Sequence, residues 1–192
     1  MQLRSFCQRI WVYALLLSLC VAPLSQAAPS KQYVNRETDL IFADAAQSPN
    51  GGTFTLSSLA SGAGQYSARL DRGTASHAWC YRWQLTFQLT GTPNIVQQIV
   101  ELWFASSDGI NTDGELGSTT AALASDKRNN LLLLGNVLVD QTTTNTNMTG
   151  SGWFCHPSRY LQFGVWNGST LPFKTDTTVH KLKITPFSLE NQ

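Results

Sequence analysis

Across residues 78–89, Trp79, Tyr81, Trp83, Leu85, Phe87 and Leu89 alternate with Cys80, Arg82, Gln84, Thr86 and Gln88 without a break. A period of two over that length belongs to an extended strand with one apolar and one polar face. The apolar face needs a second layer to bury it, which narrows the chain to packed sheets. Similar patterns predict strands over 40–43, 53–59, 65–70, 96–105, 131–139, 160–166 and 178–185, the last ending before Pro186, and the Thr-, Asn- and Gly-rich 141–151 reads as a solvated strand or hairpin edge. Apolar residues on both faces of 96–105 predict a central strand, and Gly135 marks a bulge or crossing point. Residues 119–127 have room for one or two helical turns, and Asn167-Gly168 reads as a hairpin-type turn. The expected fold is therefore all-β: a single two-sheet antiparallel β-sandwich, with a jelly roll as its most specific form.

A chain of 192 residues is one domain of ordinary size. Residues 1–27 read as a secretory signal: Arg4 and Arg9 precede an apolar run, and Ser25, Gln26 and Ala27 offer a cleavage site. Residues 28–50 are read as an N-terminal arm and 51–192 as the sandwich domain. Charged residues are 13% of the chain and the formal net charge is +1. Neutralising phosphates takes clustered Lys and Arg, and none cluster here, so nucleic acid is excluded as a partner. Removal of the leader leaves Cys80 and Cys155. Export permits a disulfide, favoured here over two free thiols and placed on the outer face between strand starts.

Several groups invite a chemical reading. The loop Asp108-Gly109-Ile110-Asn111-Thr112-Asp113-Gly114-Glu115 has oxygen atoms of the kind calcium requires. Gly109 stands where the helix–loop–helix calcium pattern needs a ligand, so the loop is read as a solvated tip, and no metal or cofactor is expected. His77, His156 and His180 show no ligand spacing, and Cys155 and His156 point to opposite faces of an extended chain. Glu101 has no second carboxylate on its face, and Asp140 and Asp176 sit at strand ends, so no glycosidase pair is formed. Trp79, Trp83, Trp103, Trp153 and Trp166 are the rings that could make a sugar-stacking platform, but Trp79 and Trp83, in the alternating strand, are read as filling between sheets. Trp153, in Gly150-Ser151-Gly152-Trp153, is placed in a flexible loop and expected to be exposed. Trp153, Asp108, Asn111 and Asp113 make up the expected contact region. Asn147-Met148-Thr149 and Asn167-Gly168-Ser169 fit the N-glycan acceptor pattern.

The segment Leu56-Ser57-Ser58-Leu59-Ala60-Ser61-Gly62-Ala63-Gly64-Gln65-Tyr66-Ser67-Ala68-Arg69-Leu70-Asp71 is followed by Val100-Glu101-Leu102-Trp103-Phe104-Ala105-Ser106-Ser107-Asp108-Gly109. Then come the apolar run 131–139 around Gly135, Arg159-Tyr160, Asn167-Gly168-Ser169 and Thr185-Pro186. In order and spacing this set, across 53–187, resembles small virion structural proteins of tailed bacteriophages. The resemblance implies a non-enzymatic β-sandwich subunit of a particle: a capsid, decoration or tail-associated protein. Its partners would be protein subunits of the same or a neighbouring virion component, in a homo-oligomer joined through sheet edges and the arm. The alternative is a secreted adhesin-like or carbohydrate-binding module whose partners are glycans, met by Trp153 and the 108–115 loop.

Overall fold

The computed structural model describes residues 32–48, 50–74, 78–92, 98–139 and 146–191. The expected leader 1–27, His77 and Asp140 lie outside the described residues. The chain divides into the sandwich unit, Val34–Glu190, and a second unit of which Gln32, Tyr33 and Asn191 alone are described. The sandwich has two antiparallel sheets. In the first, β1 (Gln32–Arg36), β11 (Lys181–Asn191), β5 (Cys80–Phe87) and β9 (Met148–Cys155) lie in that order, and β2 (Leu40–Ala43) also pairs with β11. In the second, the order is β7 (Ala121–Leu123), β3 (Gly64–Tyr66), β10 (Tyr160–Asn167), β6 (Gln98–Ser107) and β8 (Leu132–Val139), with β4 (Leu70–Asp71) also on β10. The connections β5–β6, β8–β9, β9–β10 and β10–β11 all cross between sheets, as jelly rolls do.

The alternation that opened the sequence is realised in β5, where Tyr81, Trp83, Leu85 and Phe87 are buried and Arg82 and Gln84 are exposed. A one-residue slip would turn those four side chains outward at a cost of roughly 6–12 kcal/mol. That is comparable to the whole net stability of a domain, about 5–15 kcal/mol, so the phase of β5 is not negotiable. The inner faces of both sheets meet in one apolar core in which Phe163 lies 4.9 Å from Phe42 and 5.6 Å from Phe104 between ring centroids. β6 is central, between β10 and β8, because both its faces have something to bury. Its register with β8 shifts between Leu102 and Trp103, next to Gly135.

The second sheet also has its outer face covered. Leu116, Leu123 and Leu131 are buried with Ala105, and Tyr66 and Trp103 pack against them, under the excursion 108–131 and its short helix α1 (Ser125–Arg128). Arg128 of α1 bonds Glu101 at 2.9 Å and stands 4.3 Å from the centroid of Trp166. Among the described residues the first sheet has no comparable cover: its outward residues Arg82, Gln84, Ser151, Trp153 and Lys181 are exposed.

Several expectations are corrected. Gly150-Ser151-Gly152-Trp153 is not a flexible loop but the middle of β9, paired residue by residue with β5. Within the expected arm, the strand read over 40–43 is present as β2, and Leu40–Ala43 pairs with Ile184 through Lys181 of the first sheet. Residues 53–59 make only an isolated bridge at Thr53, because Ser58 at φ 60° turns the chain while Phe54 and Leu56 are fully buried. Strand 65–70 is split into β3 and β4 around buried Ser67, whose hydroxyl accepts the Phe163 N–H at 3.1 Å. β11 runs past Pro186, which pairs with Tyr81 and accepts the Glu37 N–H at its carbonyl. Asn167-Gly168 joins strands of different sheets and is no hairpin: the buried Asn167 amide donates to the carbonyls of Leu59, Ala60 and Leu171.

Cys80 and Cys155 are directly paired across β5 and β9 and joined in a disulfide. The bridge links the start of one strand to the end of the other, since the pair is antiparallel. Close by, Trp83 faces Gly152 in register, and a Cβ on Gly152 would stand 2.7 Å from Trp83 Nε1. From the other sheet, a Cβ on Gly135 would meet the same indole at 2.7 Å. Gly152→Ala is therefore expected to lose about 1–3 kcal/mol in urea denaturation. Gly91→Ala, whose Cβ would meet Leu171 at an ordinary 3.7 Å, serves as the comparison with little change. Equal midpoints for the two variants would show that the indole does not fill the place of those side chains.

Candidate functional site

The outer face of the first sheet, which none of the described residues covers, is the candidate site, and the register of its strands writes the arrangement. One row across the strands holds Thr185, Arg82 and Trp153; the next holds Lys183, Gln84 and Ser151; a third holds Lys181, Thr86 and Thr149. Successive rows stand two residues apart, roughly 6.6 Å. Trp153 is 73% exposed, so its ring stands on a regular strand with its face open. Two depressions adjoin on this surface and share Gln84 and Lys183. One, about 390 Å³, is bordered by Glu37, Asp39, Arg82 and Thr185. The other, about 460 Å³, is bordered by Asn147, Thr149, Thr178 and Lys181.

The polar groups of this face fall into two sets. Asp39 is ion-paired with Lys183 at 2.7 Å and accepts the Thr185 hydroxyl at 2.6 Å. Glu37 is ion-paired with Arg72 and accepts the Ala78 N–H at 2.6 Å. Both carboxylates are thus tied to the sheet. The side chains of Arg82, Gln84, Ser151 and Lys181 make no hydrogen bond or ion pair with the described residues and are exposed. Such a surface can stack a flat apolar ring and hydrogen-bond to hydroxyl or anionic groups beside it.

The expected contact region is divided by the structure. Trp153 stands on the first sheet, while Asp108, Asn111 and Asp113 belong to the loop after β6 of the second. That loop spends its acids on itself: Asp108 accepts the N–H groups of Ile110 and Asn111, at 2.8 and 2.7 Å. Those backbone bonds hold the Asp108 carboxyl below the usual carboxylate range. Asp113 accepts from both the N–H and the hydroxyl of Ser106, and Asn111 offers its carbonyl to the Ser107 hydroxyl at 2.6 Å. Among the described residues, no three His, Cys, Asp or Glu side chains gather as a metal would require.

The remaining candidates have structural duties. Trp103 and Trp166 are half-buried beside Arg128, and Trp103 donates to Glu101 at 3.0 Å, so neither ring is free to stack a ligand. Trp83 is buried as expected, but Trp79 is 68% exposed, a correction: it precedes β5 and lies beyond the cover of the second sheet. Cys155 is in the disulfide and His156 packs 5.0 Å from Phe104, which leaves no thiol–imidazole pair. Asp176 accepts from Thr178, whose bonds keep its carboxyl below the usual range. Of the two glycan acceptor motifs, Asn167 is fully buried with its amide engaged, whereas Asn147 is exposed at the rim of the candidate face. Sequence reasoning missed Arg82, Gln84, Lys181 and Lys183 as site residues. The signal was the polar phase of the alternating strands, treated there only as a solvent face.

No family model matches the chain, and no curated protein matches it. Among solved structures it is similar to the modules of Clostridium thermocellum endo-1,4-β-D-xylanase 10B complexed with xylohexaose. The identity is 13% and the TM-score 0.39, over 81% of this chain and 26% of that one, so the chain spans about a quarter of that structure. It is also similar to a sugar-binding protein, the EclA C-terminal domain, at 10% identity and a TM-score of 0.29, over 88% of this chain and 86% of that one. A third likeness is to the N-terminal cellulose-binding domain of Cellulomonas fimi β-1,4-glucanase C, at 12% identity and a TM-score of 0.27, over 80% and 88%.

His180, just before β11, is fully buried, stacked 5.4 Å from Phe173 and bonded through Nε2 to the Lys174 carbonyl at 2.8 Å. Burial pushes its imidazole down; the Lys174 carbonyl bond and the charges of Asp44 and Asp176 oppose that in part. The unfolded chain takes up this proton near pH 6.5 and the folded chain only at lower pH. Unfolding therefore binds protons between those values, and stability falls as pH drops below about 6.5. Asp44 works in the opposite sense: burial raises its carboxyl, so the folded state keeps that proton longer and gains relative stability near the acid end. Urea midpoints are expected to fall from about pH 7 to about pH 5.5 in the native protein and to flatten in His180→Gln. An equal slope in the variant would assign the loss to another group.

Proposed function

We propose that the chain is a non-enzymatic glycan-binding β-sandwich and that the outer face of the first sheet is its binding surface. The observation that carries this reading is Trp153: a ring 73% exposed, on a regular strand, in one row with Arg82 and next to Gln84 and Ser151. A pyranose has apolar C–H faces and a rim of hydroxyls, and a flat ring flanked by outward donors and acceptors complements both. The carboxylates support binding without chemistry: Glu37 and Asp39 are held by Arg72, Lys183 and Thr185 and not presented as an acid–base pair. Export belongs to the same reading, since the Cys80–Cys155 bridge persists in oxidising surroundings. Trp153→Ala is expected to weaken glycan binding about tenfold in affinity electrophoresis. Its urea midpoint should stay unchanged, because the ring buries little. Undiminished binding by this variant would remove the site from this face.

A second reading, the virion structural subunit that the resemblance implies, is favoured by the end strand β8. There Leu132, Leu133 and Leu138 are 51%, 43% and 51% exposed, a run of apolar side chains suited to a protein neighbour. Light scattering and negative-stain images should then show regular assemblies of the purified protein that Leu138→Lys disperses. A monomer at every concentration would end this reading.

A further inference from the structure

We infer that the glycan taken by this face is anionic, its sugars bearing carboxylate or sulfate groups; the inference deepens the glycan-binding reading and rests on it. The charges that border the face are unequally engaged. The carboxylate of Asp39 is matched by Lys183, and that of Glu37 by Arg72. Asp176, on the loop before β11, keeps its oxygen on Thr178. Arg82 and Lys181 are exposed cations without an ion pair among the described residues, so among those residues the face has two positive charges that no acid is paired with.

Their placement favours a chain-like ligand over a single ion. Arg82 is paired with Thr185, and Lys181 lies four residues from Thr185 along β11, roughly 13 Å. Lys183 stands between them, and Trp153 shares the row of Arg82. A polysaccharide stacked on Trp153 and running along the strands would bring one anionic group to the Arg82 fork and a later one to Lys181. Guanidinium fits a carboxylate or sulfate in two parallel hydrogen bonds, whereas Lys181 acts as a point charge. A neutral glycan would leave both cations without an anionic partner, so the face discriminates by charge as well as by shape.

The test is calorimetric titration of the full chain with four probes. These are oligogalacturonate, its carboxyl-reduced counterpart, a sulfated galactan oligosaccharide, and its desulfated counterpart. The expected result is binding to at least one charged probe about tenfold or more tighter than to its neutral counterpart, weakening as salt rises. Which charged probe binds tells carboxylate from sulfate. Arg82→Gln and Lys181→Gln should each weaken that binding about tenfold. Arg159→Gln, which removes the same charge from the exposed pair with Asp71 at the other sheet, should stay within about twofold. Equal affinity for charged and neutral probes would overturn the anionic inference and leave glycan binding standing. Equal weakening by Arg159→Gln would overturn it too, by showing diffuse attraction with no site. Binding to none of the four would overturn this inference and the glycan-binding reading together.

Discussion

The contact between the Trp83 indole and two glycines on either side of it decides where everything else on the sandwich stands. Gly152 lies opposite Trp83 in register on the neighbouring strand, and Gly135 approaches the same ring from the second sheet. A side chain at either position would occupy the ring's place, so only one register of β9 on β5 is accommodated. That register sets Trp153 outward beside Arg82 and Ser151 beside Gln84. Gly150 continues the pattern, since a Cβ there would meet Val137 of β8 at 2.3 Å. The small residues of β9 let the ends of the two sheets close on each other while its alternate residues remain free for the surface.

The two outer faces are unequal for a physical reason. On the second sheet, Trp103, Trp166 and Ala105 point outward and need cover, which the 108–131 excursion supplies through Leu116, Leu123, Leu131 and the Arg128–Glu101 pair. On the first sheet the outward residues are Arg, Gln, Lys, Thr and Ser, which are better solvated than buried. Trp153 is the exception, and an exposed ring amid satisfied solvent contacts has no structural work there. This asymmetry, more than any cavity, is what favours the first sheet's face as the proposed binding surface.

The sandwich was legible because its strands obey the period-two rule wherever one face is buried: 78–89, 131–139 and 160–166 all read correctly as strands. What failed was local. Residues 150–153 contain two glycines and read as a loop, because their reason for being small lies on Trp83, far away in sequence. The last strand reads as ending before Pro186, yet Pro186 pairs within β11. The exposed ring was legible in Trp153 but not its companions. Arg82, Gln84 and Lys183 come together only through pairing between strands over a hundred residues apart in some cases, which no local pattern encodes. Asp108, Asn111 and Asp113 attracted attention by composition, although they serve their own turn.

A flat sheet face binds weakly unless its groups are already in place, since each side chain ordered on binding costs about 0.5–1.5 kcal/mol. Here the backbone beneath the face is held three ways. The disulfide fixes one end of the β5–β9 pair, the indole wedge fixes its middle, and the Thr86–Thr149 hydroxyl pair at 3.4 Å lies near the other end. On the opposite side of β5, β11 is held by the Lys183–Asp39 and Thr185–Asp39 contacts, which also stop Lys183 from swinging. What remains free to move is the length of the Arg82 and Lys181 side chains. A surface so constructed is rigid in register and adaptable at its tips, which suits a repeating ligand whose substituents recur at fixed spacing but whose end-on position varies.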